Sequence, residues 1–194
     1  MMDAEVNQQQ QQPQLLFGGA FSAFLPPGCL DVSELRQVPD NQEVFVHPST
    51  DQSIIIELLE YQAGVPDENA ARYHFEDAAG ASAEAEVLSQ ESLAPHLLAL
   101  EGCSSAWCLT TCQLVAKFNE KAKNKVTVHL VLLRLPQYGT DLLLTFNNPT
   151  CIHPLSSSAV RETEIPHPSQ PPWTVEHFHT FTHSLRLLDP GIFG

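Results

Sequence analysis

The two most apolar stretches of this chain lie almost end to end, and they constrain the fold more than any other feature. Val126–Leu135 reads VTVHLVLLRL, Asp141–Asn147 reads DLLLTFN, and only Pro136-Gln137-Tyr138-Gly139 and Thr140 stand between them. Branched and aromatic residues favour strands. Apolar residues at consecutive positions, rather than at every second one, mark strands buried on both faces. A connection this short leaves antiparallel neighbours as the only pairing. A third apolar segment, roughly 106–117, precedes them and extends the meander.

The remaining elements fit around that sheet. Leu15–Leu25 (LLFGGAFSAFL) alternates apolar and small residues up to Pro26-Pro27-Gly28, which predicts a strand. Asp31-Val32-Ser33-Glu34 has the form of a capping box for a short helical turn. Pro39-Asp40-Asn41 is turn chemistry leading into a strand at 43–47, and 54–61 completes a hairpin across Pro48–Asp51. Asp67–Ala79 carries acids in its first turn and Gly80 as a stop, the pattern of a helix. Thr174–Ser184 is a second helix, capped by Thr174, with Phe178, Phe181 and Leu185 on one face. A short strand at 185–188 closes the chain. Together these predict an α+β architecture, a central antiparallel sheet of about six strands sandwiched between helices.

With 43% hydrophobic residues in 194, the chain can bury one sizeable core, so a single domain is expected over 15–194. Residues 1–14, with glutamines at 8–12, are predicted disordered. Residues 149–172, rich in Pro and Ser, form a long flexible loop. All four lysines fall within Lys117–Lys125, read as a solvated hairpin loop.

Charge narrows the function. The net charge is −14, and residues 1–101 hold 17 acids against two bases, Arg36 and Arg72. Such a surface repels phosphodiesters and anionic lipid, so nucleic acid is not expected as a partner and a basic protein surface is. No apolar run approaches the roughly 20 residues that span a bilayer, so direct membrane insertion is not expected. The N-terminus lacks the basic start and apolar stretch of a signal peptide. The five cysteines, 29, 103, 108, 112 and 151, contain no C-x-x-C and read as reduced thiols of an intracellular protein.

Catalytic and metal patterns are incomplete. Gly18-Gly19 is followed by no lysine at phosphate-loop spacing and reads as a strand bulge or a close backbone approach. His179 and His183 have zinc-pair spacing and His177 lies beside them, yet HExxH is missing; they read as a polar helix face. Cys103, Cys108 and Cys112 do not converge and read as packing thiols. No G-x-S-x-G occurs. Neither a metal nor another cofactor is expected. Asp31 and Glu34 serve as a cap, whereas the carboxylates of Asp40 and Glu43 have no evident structural task. A glycosidase pair would need a cleft rich in aromatics, and only 8% of the chain is aromatic. An acidic knob recognising lysine or arginine on a partner needs less.

At these residues the chain resembles the Ran guanine nucleotide release factor family. The likeness runs through Leu16–Ala20 (LFGGA), LDVSELRQVPDNQEVFVH (30–47), DQSIIIELLE (51–60), YHFED (73–77), LLRLPQYGTDLLLTFNNP (132–149) and SLRLLDPGIFG (184–194). The resemblance implies a PsbP-like sandwich that binds the small GTPase Ran, releases its guanine nucleotide and supports nucleocytoplasmic transport without chemistry of its own. It places the Ran-binding surface at Asp40 and Glu43, with Asp31, Glu34, Arg36, Asn41 and Gln42 as neighbours. It further implies a monomer of nucleus and cytoplasm, a Ran-binding protein as a possible assistant, and, for vertebrate members, help in delivering a voltage-gated sodium channel to the cell surface. A trafficking adaptor that tethers Ran or a channel without exchange activity is the alternative.

Overall fold

The structure is a computed structural model that describes residues 12–80, 84–116, 121, 123–151, 154–155 and 170–194. Residues 1–11, Lys117 and most of 149–172 lie outside it, so the expectations of a disordered tail and a flexible loop are untouched there. In chain order the strands and helices are β1 (Gln14–Leu16), β2 (Phe21–Ala23), β3 (Leu30–Asp31), β4 (Gln42–Val46), β5 (Ser53–Glu60), α1 (Asp67–Ala79), β6 (Ala85–Leu93), β7 (Ser105–Ala116), β8 (Lys123–Leu135), β9 (Thr140–Cys151), α2 (Val175–Ser184) and β10 (Arg186–Leu187). Short 3-10 turns lie at Phe17–Gly19, Val32–Glu34, Pro95–Leu97, Pro136–Tyr138 and Pro190–Phe193.

Seven strands form one antiparallel sheet in the order β3-β4-β5-β9-β8-β7-β6, and β1-β2-β10 form a second, small one. The class is α+β, as expected, with more strands than the six anticipated. The apolar runs behave as their composition demands. On β9, Leu142, Leu144 and Phe146 enter one core and Leu143 the other. On β8, Val131, Leu133 and Leu135 alternate in the same way with Leu130 and Leu132. Phe178 and Phe181 of α2 join the first core with Phe45, Ile54, Ile56 and the small sheet's Phe21. Ala70, Ala71 and Phe75 of α1 fill the second, against Leu109, Leu130, Leu132 and Leu143. The two helices therefore cover opposite faces of the long strands.

Several features depart from the sequence reading, among them the predicted Lys117–Lys125 loop, because Lys123 and Lys125 already belong to β8 and pair with β7. Leu15–Leu25 is not one strand: it begins at Gln14, and β1 and β2 are separated by the Phe17–Gly19 turn. The glycines there are neither a bulge nor a close approach. Both have positive φ (66° and 99°), and nothing lies within 4 Å of where a Cβ would stand. β6 was not anticipated, because as an exposed edge strand with few apolar residues (AEVLSQESL) it carries no burial pattern. The predicted 149–172 loop starts later, since β9 continues to Cys151.

The returning chain is tied down by one glutamine. Gln52 Nε2 donates to Trp173 O at 2.8 Å, and Trp173 N–H donates to Gln52 Oε1 at 2.7 Å, so the amide closes a two-way bond. His47 adds Nε2 against Pro171 O at 3.0 Å, while its Nδ1 accepts from Ser49 N and Thr50 N.

Candidate functional site

Histidine chemistry on α2 resolves into helix structure. His177 is the far half of a capping box: Thr174 Oγ1 accepts from His177 N, and His177 Nδ1 accepts from Thr174 N at 3.0 Å. His183 Nδ1 donates to His179 O at 2.8 Å. Among the described residues no group of three or more His, Cys, Asp or Glu side chains is arranged to hold a metal. Cys29, Cys103 and Cys108 pack against the first core, and burial raises their thiol pKa values above the ordinary range.

A buried ion network went unread in the sequence. Arg134 is 1% exposed and Asp141 fully buried, and they face each other across the Pro136–Gly139 connection. Arg134 Nε donates to Asp141 Oδ1 at 3.0 Å. Its Nη1 reaches Asp67 Oδ1 (2.7 Å) and Val65 O (2.9 Å), and its Nη2 reaches Gln62 O (2.7 Å). Its guanidinium also lies 4.3 Å from the Tyr61 ring centroid. Asp141 Oδ2 takes His74 Nε2 at 2.8 Å and Gln62 N–H at 3.2 Å. Burial raises the Asp141 pKa, but the bonds from His74, Arg134 and Gln62 with the guanidinium charge outweigh it and hold the carboxyl below its ordinary value. The network fastens residues 61–67 and the start of α1 to the sheet. Its signal was available: charges inside strands buried on both faces require partners, and a tight turn aligns Arg134 with Asp141.

The acidic turn is built at the same end of the sheet, beside β5. Gln42 N–H donates to Pro39 O at 2.9 Å and closes the turn. Asn41 brackets Leu58, accepting from its N–H at 2.9 Å and donating from Nδ2 to its carbonyl at 3.1 Å. Gln42 Nε2 donates to Glu57 Oε1 at 2.7 Å. These bonds fix Asn41 and Gln42 as framework and leave Asp40 exposed at the tip.

Asp31, Glu34 and Arg36 arrive from the neighbouring segment. Register pairs Asp31 with Phe45, and the 3-10 turn that follows packs on β4. Asp31 Oδ1 accepts from Ser33 N (2.8 Å) and Ser33 Oγ (2.6 Å), the expected cap. Glu34 and Arg36 are exposed, as is Leu35 between them at 75%. Four acids and one base thus lie along the β3–β4 edge of the sheet, with an exposed leucine among them.

Glu43 differs from the others. Its Oε1 accepts the backbone N–H of Phe17 at 2.5 Å and the side chain is half-buried. Its carboxylate therefore has a structural task, contrary to the sequence reading. Burial raises its pKa above the ordinary value, the Phe17 bond opposes this, and the nearby Asp31 charge adds to it.

The model of the "Ran-interacting Mog1 protein" family matches residues 14–149, which contain the whole acidic turn. A Ran guanine nucleotide release factor of Danio rerio is 55% identical over 184 residues, covering 92% of this chain and 98% of the relative. Its Homo sapiens counterpart is 53% identical over 183 residues, covering 92% and 95%. The nuclear import protein mog1 of Schizosaccharomyces pombe is 33% identical over 192 residues, covering 92% and 98%. The crystal structure of the Saccharomyces cerevisiae Ran-binding protein Mog1p shares the fold, with TM-score 0.67 at 23% identity over 94% of this chain and 98% of that one. On the extent of these matches, the chain belongs to the Ran-interacting Mog1 family.

Proposed function

We propose that this protein binds the small GTPase Ran and promotes release of its guanine nucleotide, and that the surface formed by Asp31, Glu34, Arg36 and Asp40–Glu43 makes the contact. One observation carries the placement: exposed Asp40 precedes Asn41 and Gln42, which are both bonded to β5, so a charge is presented on a rigid support. Relatives bearing the name Ran guanine nucleotide release factor, 53–55% identical, supply the partner.

A GTPase holds its nucleotide through a lysine, backbone amides and Mg²⁺, all opposing the phosphates. A partner expels the nucleotide by binding the empty or distorted state better than the loaded one, and each tenfold preference takes about 1.4 kcal/mol of differential affinity. Carboxylates directed at basic groups near the nucleotide supply such a preference without covalent chemistry, so the protein acts as a regulator and not an enzyme. This activity belongs to nucleocytoplasmic transport, with the protein in nucleus and cytoplasm, consistent with yeast relatives named nuclear import proteins.

The test is release of labelled guanine nucleotide from Ran with and without the full chain. Acceleration that Asp40→Lys abolishes, with the melting temperature unchanged, supports the reading. Binding without acceleration would identify a tether, the form in which a channel-trafficking role would operate. Acceleration untouched by Asp40→Lys would remove the turn from the contact.

A further inference from the structure

Three stretches that carried the sequence resemblance, LFGGA, LPQYG and LDPGIFG, are far apart in the chain and have no part in the acidic turn as such. The structure assembles them in one place. The Phe17 ring meets Phe21 edge-on at 5.9 Å, Phe21 meets Phe193 edge-on at 6.1 Å, and Phe193 stacks on Tyr138 at 4.5 Å. Behind the turn, Ala20 O accepts from both Leu188 N (2.8 Å) and Asp189 N (3.1 Å). The object held by all of these contacts is the Phe17–Gly19 turn, whose N–H at Phe17 is bound by Glu43.

The turn's conformation is costly. Phe17, Gly18 and Gly19 have φ of 51°, 66° and 99°, and Phe17 is the only non-glycine residue with positive φ among the described residues. A bulky side chain in the left-handed region persists only where its surroundings over-determine it. Here the surroundings are the aromatic chain on one side and the Glu43 carboxylate on the other. The glycines do not serve packing, since a Cβ at either would meet nothing within 4 Å. They leave a bare stretch of backbone beside the acidic turn, which another polypeptide can approach closely.

We propose that the Phe17–Gly19 turn is itself a contact element of the Ran-binding surface, and that Glu43 is a positioning residue that acts by holding this turn in its left-handed form. The proposal rests on the Ran-binding reading above. It divides the labour of the two acids: Asp40, exposed, meets a cation of the partner, whereas Glu43, half-buried, shapes the backbone the partner rests on. The partner surface that fits is a basic group flanked by a flat patch able to lie against glycine backbone.

The experiment compares Glu43→Ala, Glu43→Gln, Gly18→Ala and Asp40→Lys in the full chain. The readouts are nucleotide release from Ran, melting temperature and hydrogen exchange at the Phe17 amide. A glutamine at 43 still offers an oxygen to Phe17 N–H without the charge. Glu43→Gln should therefore retain release within about threefold, while Glu43→Ala loses about tenfold or more and loses Phe17 protection. Gly18→Ala, which strains the turn and leaves Glu43 intact, should also slow release. Equal loss in Glu43→Gln and Glu43→Ala, with Phe17 still protected in both, would overturn the proposal in favour of a direct charge contact. So would a folded Gly18→Ala variant with normal release. If Asp40→Lys also leaves release unchanged, the Ran-contact reading has failed; if Asp40→Lys alone abolishes it, only the role of the turn has failed.

Discussion

Replacing Arg134 by methionine should be among the most damaging single changes to this fold outside its apolar core. The guanidinium makes four hydrogen bonds, to Asp141, Asp67, Val65 and Gln62, from a position 1% exposed. Methionine keeps the length of the side chain and most of its packing, so the loss is electrostatic. The partner that matters is Asp141, which is fully buried; Asp67 is half-exposed, and water can replace Arg134 there. Removing one member of a buried pair leaves an uncompensated charge and costs about 3–5 kcal/mol. Whole-protein stability is only about 5–15 kcal/mol, so the variant loses a large share of it. At 2–4 °C per kcal/mol for a chain of this size, the melting temperature should fall by roughly 6–20 °C.

That cost resides in the stranded Asp141 carboxylate rather than in Arg134 itself. Asp141→Asn removes the charge but leaves an amide oxygen for His74 and the Gln62 N–H. The double variant Arg134→Met with Asp141→Asn should therefore be more stable than Arg134→Met alone, by about 1–3 kcal/mol. Urea unfolding of the parent, both singles and the double gives the cycle directly. A single-variant cost below about 1 kcal/mol, or a double no more stable than Arg134→Met, would refute the assignment of a buried charge pair.

The same carboxylate sets an acid limit. Its pKa in the folded state lies below the unfolded value near 3.9, so its stabilisation is complete above about pH 4 and is lost as pH falls through the folded value. Urea midpoints across the acid range should drop less steeply in Asp141→Asn than in the parent; an identical slope would exclude Asp141 as a contributor. Gln52→Ala should cost on the order of 2–3 kcal/mol, because the buried N–H and C=O of Trp173 both lose their partner, and a urea midpoint close to that of the parent would show that water replaces the amide. Association with Ran, if steered by exposed carboxylates, should slow as salt rises, since screening acts beyond roughly 8 Å at physiological ionic strength; a salt-independent on-rate would indicate an interface centred on apolar residues such as Leu35.

Where burial is two-sided, composition reveals it. The runs at 126–135 and 141–147 are apolar at consecutive positions because each face of β8 and β9 carries its own core, and no other environment tolerates them. β6 has no such constraint: it is paired only with β7 and mostly exposed, so its polar sequence is indistinguishable from a loop. Arg134 and Asp141 were hidden differently, since each alone looks like an interruption of an apolar strand. Only the register across Pro136–Gly139 makes them a pair.

Glu43 is the instructive case, because the sequence contained its answer. Once Gln42–Val46 is a strand, side chains two apart share a face, so Glu43 must point the same way as Phe45. Phe45 is in the first core, and Ile56, opposite Glu43 in register, is fully buried in it. A carboxylate at the rim of that face is partly withdrawn from water and has to find a donor, and the small sheet that covers the same face supplies Phe17 N–H. Asp40 lies outside the strand, where no such rule applies. Reading D-x-x-E as one acidic knob merged a residue in a turn with a residue in a strand. The period-2 geometry of β4 separates them into an exposed acid at the tip of a turn and a half-buried acid that holds the backbone of Phe17.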